Sequence, residues 1–338
     1  MFDLFLLLTP ILLLGIVALL GFVGCGFQPT AAEDISISPA SGPLAGGTSV
    51  TISGSNSNFS GAPTVNFGNR QTLTVTATAP SATLVSSTQL TATTPPSTSA
   101  GNVDVWVVYT YQSGTDATGA ATFTYYAPVS LATESALDNA GAKTIQTTLN
   151  FSGQKLVVVT LLWGGTTLAA NPVTAPGATF TQLYATTGPG LNPQQLAVFF
   201  SSNVTGPITI TANLTTNSSV DFIIAASAYD NAADPDTASV QKTTLPFVAS
   251  PTLSFPGANL APGDLIYAVV VGRNTASALS GKLVPGSGLT SEGTNITGFL
   301  AEDFSVPSTP PPSVTISASD STGTATRWFT FAMRIPHA

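Results

Sequence analysis

Residues 101–109 read GNVDVWVVY and carry the clearest strand signal in the first third of the chain. Val103, Val105, Val107 and Tyr109 occupy every second position, which is the period of a strand that buries one face. Shorter runs of the same kind lie on both sides of it between residues 35 and 126, separated by turns that contain Gly and Pro. About seven short strands in roughly ninety residues predict an immunoglobulin-like antiparallel β-sandwich.

Several short motifs occur in a fixed order along the same region. They are Ile37-Ser38-Pro39, Ser41-Gly42-Pro43, Gly46-Gly47-Thr48, Val50-Thr51-Ile52-Ser53-Gly54, Phe59, Val65-Asn66-Phe67-Gly68, Gly101-Asn102-Val103-Asp104-Val105 and Phe123-Thr124-Tyr125. In this order they resemble an IPT/TIG domain that covers residues 35–126. The resemblance implies an immunoglobulin-like fold and a role as a stalk, a dimerisation unit or a spacer. It brings no catalytic residue to this chain.

The chain opens with an uncharged apolar run, residues 4–25, which reads LFLLLTPILLLGIVALLGFVGC. A helix of about twenty residues at roughly 1.5 Å per residue would cross a hydrocarbon core of about 30 Å. The end of the run, Phe22-Val23-Gly24-Cys25-Gly26, resembles the cleavage box of bacterial lipoproteins, which implies that Cys25 is the lipid attachment point. Three hypotheses stay open: a lipoprotein signal, an uncleaved membrane helix and a cleaved secretory signal. All three predict an extracytoplasmic protein, and the first two predict a membrane anchor in the cell envelope.

Charged residues are scarce throughout the chain. Asp, Glu, Lys and Arg make up 7% of the 338 residues, and the formal net charge is −8. Average soluble domains carry about 25% charged residues, so Ser, Thr, Asn and Gly must cover most of this surface. Because the few basic residues are scattered and form no patch, the sequence excludes nucleic acid as a partner.

Two residue types that occur only once limit the chemistry. Cys25 is the only cysteine, so no disulfide can form within the chain. His337 is the only histidine and the penultimate residue, so we expect it to fray in solvent. Its isolation argues against a Ser-His-Asp or Cys-His nucleophile and against a zinc or iron site built from histidines.

Residues 127–338 form a second β-patterned region with a diverged internal duplication. Two pairs of segments match at an offset of 109: Gln154–Val159 with Gly263–Ala268, and Pro176-Gly177 with Pro285-Gly286. Two further pairs match at an offset of 106: Ile208–Thr211 with Val314–Ser317, and Phe222–Ile224 with Trp328–Thr330. One such half could not easily bury its apolar face alone. We therefore predict one jelly-roll-type β-sandwich made of two similar halves, about 130–245 and 246–338. Two independent small domains are the alternative.

An acidic loop follows the apolar stretch Phe222–Tyr229. Asp230, Asp234 and Asp236 could offer several hard oxygen ligands within seven residues, which suits Ca²⁺. Their spacing does not match an EF-hand, and aspartate also favours turns through local backbone hydrogen bonds. The loop is therefore either a calcium site or a plain turn, and the sequence predicts no other cofactor.

Aromatic and acidic residues supply candidates for a carbohydrate site. Trp163 and Tyr184 could stack on a glycan, although core packing is the competing interpretation for Trp163. Asp230 with Glu302, or its neighbour Asp303, could supply the two carboxylates of a glycosidase, which must lie about 5–9.5 Å apart.

Three functional hypotheses result. The first is a non-enzymatic, membrane-tethered extracytoplasmic surface protein, in which the IPT/TIG stalk presents the C-terminal sandwich for adhesion or envelope structure. The second is a surface lipoprotein that binds glycans, and the third is a carboxylate-dependent polysaccharide hydrolase. The expected partners are the membrane, through the N-terminal segment, and a glycan or a surface protein.

Overall fold

The fold is seen in a computed structural model that describes residues 34–338 apart from short gaps. The gaps are residues 56–58, 60, 112–113, 186–193, 220–221, 247–251, 274–282, 286–289, 297–298, 308–309 and 321–326. The predicted anchor at residues 4–25, with Cys25, lies outside the described residues. Most described elements are β-strands, and a short 3-10 helix spans Gly257–Asn259. Within the described ranges, no helix has the length and apolar character needed to cross a membrane.

The described chain divides into two compact units. The first comprises the described residues up to Ser38 together with Ser49–Pro95 and Val103–Phe123. The second comprises Pro39–Thr48, Pro96–Asn102 and Thr124–Ala338. Three short segments of the region that resembles an IPT/TIG domain, residues 39–48, 96–102 and 124–126, thus belong to the second unit.

Strands of residues 35–126 form two sheets. They are β1 Ile35–Ser38, β2 Ser41–Pro43, β3 Ser49–Gly54, β4 Thr64–Asn69, β5 Thr74–Thr78, β6 Ser81–Ser86, β7 Gln89–Thr93, β8 Gly101–Tyr111, β9 Gly114–Ala117 and β10 Ala121–Tyr126. One sheet has the order β1-β3-β7-β6, and the other has the order β2-β10-β8-β4-β5 with β9 paired to β8. This arrangement confirms the predicted immunoglobulin-like sandwich.

The alternation in β8 predicts its inward face correctly. Val105, Val107 and Tyr109 are each at most 3% exposed. Trp106, on the opposite face, is also only 3% exposed, and the Arg70 guanidinium carbon lies 6.0 Å from its ring centroid. The period of the strand therefore identifies the core positions, but it does not predict the burial of Trp106 on the opposite face.

The strands after residue 126 fall into two sets, which we call the first half and the second half. The first half contains β11 Ser130–Asp138, β12 Thr144–Leu149, β13 Gln154–Gly164, β14 Leu168–Thr174, β15 Thr181–Ala185, β16 Gln194–Thr205, β17 Ile208–Leu214 and β18 Ile223–Asp230. The second half contains β19 Asp236–Pro246, β20 Thr252–Pro256, β21 Leu265–Arg273, β22 Leu283–Pro285, β23 Thr290–Ile296, β24 Phe299–Ser305, β25 Ser313–Asp320 and β26 Arg327–Ile335.

Both halves have the same strand order. The first half pairs a five-stranded sheet, β11-β18-β13-β16-β15, with a three-stranded sheet, β12-β17-β14. The second half pairs β19-β26-β21-β24-β23 with β20-β25-β22. When the eight strands of each half are numbered 1 to 8 along the chain, the five-stranded sheet has the order 1-8-3-6-5 and the three-stranded sheet has the order 2-7-4 in both halves. This connectivity is close to that of a jelly roll. The segments matched at offsets of 109 and 106 include the equivalent strands β13 and β21, β17 and β25, and β18 and β26.

Among the described residues, three hydrophobic cores hold these sheets together. One core lies inside the first half, where Val157 and Leu161 pack with Ile210. A second lies inside the second half, and a third joins the two five-stranded sheets, where Val158 packs in the same cluster as Phe331. The layers therefore run three-stranded, five-stranded, five-stranded, three-stranded, and we call this body the double sandwich.

This arrangement differs from the single two-layer sandwich that the sequence predicts. Every residue of Leu156–Trp163 is buried, because alternate side chains enter the core of the first half and the core between the halves. A strand covered on both faces needs a layer on each side, so each half is a two-layer sandwich and the two five-stranded sheets pack against each other. Strand β19 pairs with β26 and belongs to the second half, which therefore begins near Asp236 rather than near residue 246.

Candidate functional site

Two of the three candidate calcium ligands hold the loop after β18 in place. Lys155 Nζ lies 2.6 Å from Asp230 Oδ1, and only 12% of the lysine side chain is exposed. The Ser202 hydroxyl donates a hydrogen bond to Asp234. Lys155 lies on β13 and Ser202 on β16, so each carboxylate has a partner on another strand of the first half.

The third candidate, Asp236, lies at the start of β19 and pairs with Arg334, with 3.7 Å between Oδ2 and Nη1. It also accepts a hydrogen bond from the backbone N–H of Ala238 at 3.0 Å. Among the described residues, no group of three or more His, Cys, Asp or Glu side chains could hold a metal ion. The structure thus does not bring Asp230, Asp234 and Asp236 together around one metal position.

A fully buried carboxylate, Asp264, collects four hydrogen bonds directly before β21. Its Oδ2 accepts from Arg334 Nε and from the Ala261 backbone N–H, both at 2.7 Å. Its Oδ1 accepts from the backbone N–H of His337 at 3.1 Å and from His337 Nδ1 at 2.9 Å. A carboxylate only accepts, so Nδ1 carries the ring proton. We call this cluster of Asp264, Arg334, His337 and Ala261 the Asp264 clasp.

The clasp corrects the prediction that His337 frays in solvent. The His337 side chain is 30% exposed, and residue 337 forms a β-bridge with Ala232. Its ring centroid lies 5.6 Å from that of Tyr126. Because Asp264 is 73 residues away in sequence, no local pattern could indicate this pairing.

Trp163, a predicted glycan platform, is a core residue instead. It is 2% exposed and belongs to the core of the first half. Its indole Nε1 donates to the backbone oxygen of Thr166 at 3.1 Å, which satisfies the polar atom of the ring. A ligand cannot stack on a side chain with so little exposure.

Tyr184, the other predicted platform, is half-buried and contacts the second half. Its ring stacks on Phe329 and Phe331 with centroid distances of 6.0 and 5.2 Å. Lys242 Nζ lies 4.9 Å from its centroid in a cation–π contact. The ring is therefore engaged in contacts between the halves.

Asp303, one of the predicted glycosidase carboxylates, lies between the five-stranded sheets at 5% exposure. Tyr229 donates to its Oδ1 at 3.3 Å, and the hydroxyls of Tyr267 and Thr160 lie 2.9 Å apart nearby. Burial raises the pKa of Tyr229 well above its usual value, with a further contribution from the Asp303 charge. Burial also raises the pKa of Tyr267. These groups join the two halves, and a polymer cannot reach them. The side chain of Glu302 lies outside the described part.

The outer face of sheet β12-β17-β14 carries rungs of neutral polar side chains. Thr148 and Thr209 hydroxyls lie 3.1 Å apart. Gln146 Nε2 donates to Thr211 at 2.9 Å, and the Thr144 hydroxyl donates to Asn213 Oδ1 at 3.1 Å. We call these six side chains the hydroxyl ladder. No member is ionisable, so the ladder contributes no charge to this face.

A cleft of about 260 Å³ lies within the second compact unit. It is lined by Pro43, Gly46, Gly47, Thr48, Tyr126, Pro128, Val306 and Pro307. Burial raises the pKa of Tyr126, and the ring rests on Gly263. With one phenol and no charged side chain in its lining, the cleft offers packing and hydrogen bonds but no acid–base pair.

Comparison with known proteins bears on the first sandwich. No curated protein matches the chain. The family model of the IPT/TIG domain matches residues 35–125. This match agrees with the two sheets built by β1–β10 and with the motifs that begin at Ile37. Residues 35–125 therefore form an IPT/TIG domain.

Proposed function

We propose that this protein is a non-enzymatic, membrane-tethered extracytoplasmic surface protein. In this proposal the IPT/TIG domain is a stalk, and the double sandwich is the module presented for adhesion or envelope structure. IPT/TIG domains are immunoglobulin-like sandwiches often used in adhesion or surface interactions, and they are not catalytic. The apolar run at residues 4–25 supplies the tether.

The observation that carries the proposal is that the candidate acidic residues make structural contacts, whereas neutral polar side chains lie on the outer sheet. The candidate acids Asp230 and Asp303 contact Lys155 and Tyr229 and hold the fold, whereas the outer sheet presents the neutral hydroxyl ladder. A surface of this kind suits contact through shape and hydrogen bonds. It does not suit electrostatic capture of a charged partner, because that needs a patch of one sign.

A glycan-binding lipoprotein is the second candidate function. The hydroxyl ladder favours it, because hydroxyl and carboxamide groups both donate and accept hydrogen bonds, as sugar hydroxyls do. The contacts of Asp230 and Asp303 support both candidates over a polysaccharide hydrolase.

Expression of the full chain in a bacterial host tests the tether. The intact mass of membrane-extracted protein should include a diacylglycerol group on an N-terminal Cys25, if the lipoprotein hypothesis is correct. Retention of Met1 in the membrane fraction would instead support the uncleaved helix. Recovery of the chain in the cytosol would contradict the proposal.

Adhesion is tested by display on whole cells. Cells that carry the full chain should attach to host cells or matrix, and deletion of residues 127–338 should abolish the attachment. A tagged chain with the leader and IPT/TIG domain alone, matched for surface amount, is the control. Unaltered attachment after the deletion would contradict the role of the double sandwich.

A further inference from the structure

The hydroxyl ladder contains no aromatic and no charged side chain. Its six members come from β12 and β17, and the outward positions of these strands are exposed or half-buried. Strand β14 adds Thr174 next to Thr211 on the same face. In a rung of two hydroxyls, one proton bridges the oxygens, so a second proton and further lone pairs stay available to a ligand.

The same chemistry recurs on the outer sheet of the second half. Ser254 and Thr315 form the pair equivalent to Thr148 and Thr209, at the offset of 106 residues. The buried residue beside Thr148 is Thr147, and the equivalent residue beside Ser254 is Leu253. The buried position therefore differs between the halves, whereas both outward positions carry a hydroxyl.

The pair equivalent to Gln146 and Thr211 is Thr252 and Ser317, which again has no charge. The double sandwich thus carries neutral hydroxyl faces on its two outermost layers. The outward positions of both outer sheets thus carry neutral polar side chains, although the two halves differ in sequence elsewhere.

The chemistry of the ladder narrows the class of partner. Protein interfaces take most of their energy from Trp, Tyr and Arg anchors, and the ladder has none. Nucleic acids and anionic membranes require basic side chains, and apolar insertion requires large apolar ones. A neutral polymer with dense hydroxyl groups is the partner whose donors, acceptors and charge match this face.

We propose that the hydroxyl ladder binds the surface of an uncharged polysaccharide. This inference rests on the proposed extracytoplasmic role, and it names the partner of the double sandwich. A hydrogen bond exchanged with water contributes only about two- to tenfold in affinity. Binding therefore needs many rungs at once, which an insoluble polymer offers and a monosaccharide does not.

Sedimentation with insoluble polysaccharides tests the proposal. The full chain in detergent is mixed with cellulose, chitin or insoluble starch, and with an anionic polymer for comparison. The wild type should sediment with at least one uncharged polymer and remain bound in high salt, and free glucose should not release it.

The decisive variant is T148V/T209V/T211V, which removes three hydroxyls and keeps the branched shape that strands favour. It should lower affinity at least tenfold. The matched control T72V/T74V/T83V changes three exposed threonines of the IPT/TIG domain and should bind as the wild type does. A rescue variant, T148S/T209S/T211S, restores the hydroxyls and should restore binding, which separates lost contacts from lost folding.

Several results would overturn the inference. They are sedimentation with none of the uncharged polymers, preference for the anionic polymer, equal loss in the ladder and control variants, and a serine variant as weak as the valine variant. Cell attachment is measured on the same variants. Attachment that survives the valine changes would refute the ladder and leave the surface role intact, whereas a cytosolic chain would refute the surface role itself.

Discussion

Replacing Asp264 by asparagine tests how the C-terminal end of the double sandwich is held. Each of the two carboxylate oxygens accepts two hydrogen bonds, and the donors belong to Arg334, Ala261 and His337. A carboxamide accepts at one position only, so one pair of donors loses its acceptor and faces an N–H group. The substitution also leaves the Arg334 guanidinium without its buried counter-ion.

The expected cost follows from the burial of the pair. The Asp264 side chain is 0% exposed and that of Arg334 is 20% exposed. Removing one partner of a buried ion pair costs about 3–5 kcal/mol. The same arginine provides the control, because Asp236 is 29% exposed and lies 3.7 Å away. Since partly exposed pairs contribute up to about 1 kcal/mol, D236N should cost no more than that.

The assay is equilibrium denaturation of the full chain in urea, followed by tryptophan fluorescence, together with thermal melting. For a body of roughly 200 residues, 1 kcal/mol lowers the melting temperature by about 2–4 °C. D264N should therefore melt about 6–20 °C below the wild type, and D236N within about 4 °C of it. A D264N variant within about 1 kcal/mol of the wild type, or two variants with equal cost, would refute the assignment of the clasp.

Two other predictions concern tyrosine titration and a crowded glycine. Tyr229 and Tyr267 have raised pKa values in the folded protein, whereas tyrosine in the unfolded chain ionises near pH 10. Their stabilising contribution is complete below about pH 10 and is lost above it, by about 1.4 kcal/mol per pH unit for each ring. The phenolate absorbance of these two rings should thus appear only with unfolding, and their ionisation in a protein that remains folded would contradict the prediction. G263A should cost about 3 kcal/mol or more, because φ is +89° and the new Cβ would overlap the Tyr126 ring. G177A, with φ of +73° and open space, is its control at about 1 kcal/mol in the same melting assay, and equal costs would show that the ring contact does not matter.

Periodic patterns and motif order made the IPT/TIG domain predictable from sequence. Val105, Val107 and Tyr109 point into the core because side chains alternate along a strand whatever the rest of the chain does. The repeated segments could be found in the same way, since each half repeats its own strand pattern at a nearly constant offset.

Candidate sites were predicted less well, because they depend on residues far apart in the chain. Aspartates close together in sequence suggested a calcium loop, but Asp230 contacts Lys155 and Asp234 contacts Ser202. Trp163 preceded a pair of glycines and suggested an exposed rim. The apolar side chains that cover it come from other strands of the first half.

The sequence by itself determined the strand content, the IPT/TIG sandwich, the duplication and the scarcity of charge, because each of these is a property of composition or local period. Only the tertiary structure decided which strands are covered on both faces and which polar groups meet. The Asp264–His337 contact joins residues 73 positions apart, and the Thr148–Thr209 rung joins residues 61 positions apart. Strand register and layer packing set such contacts, and they are fixed only when the whole chain folds.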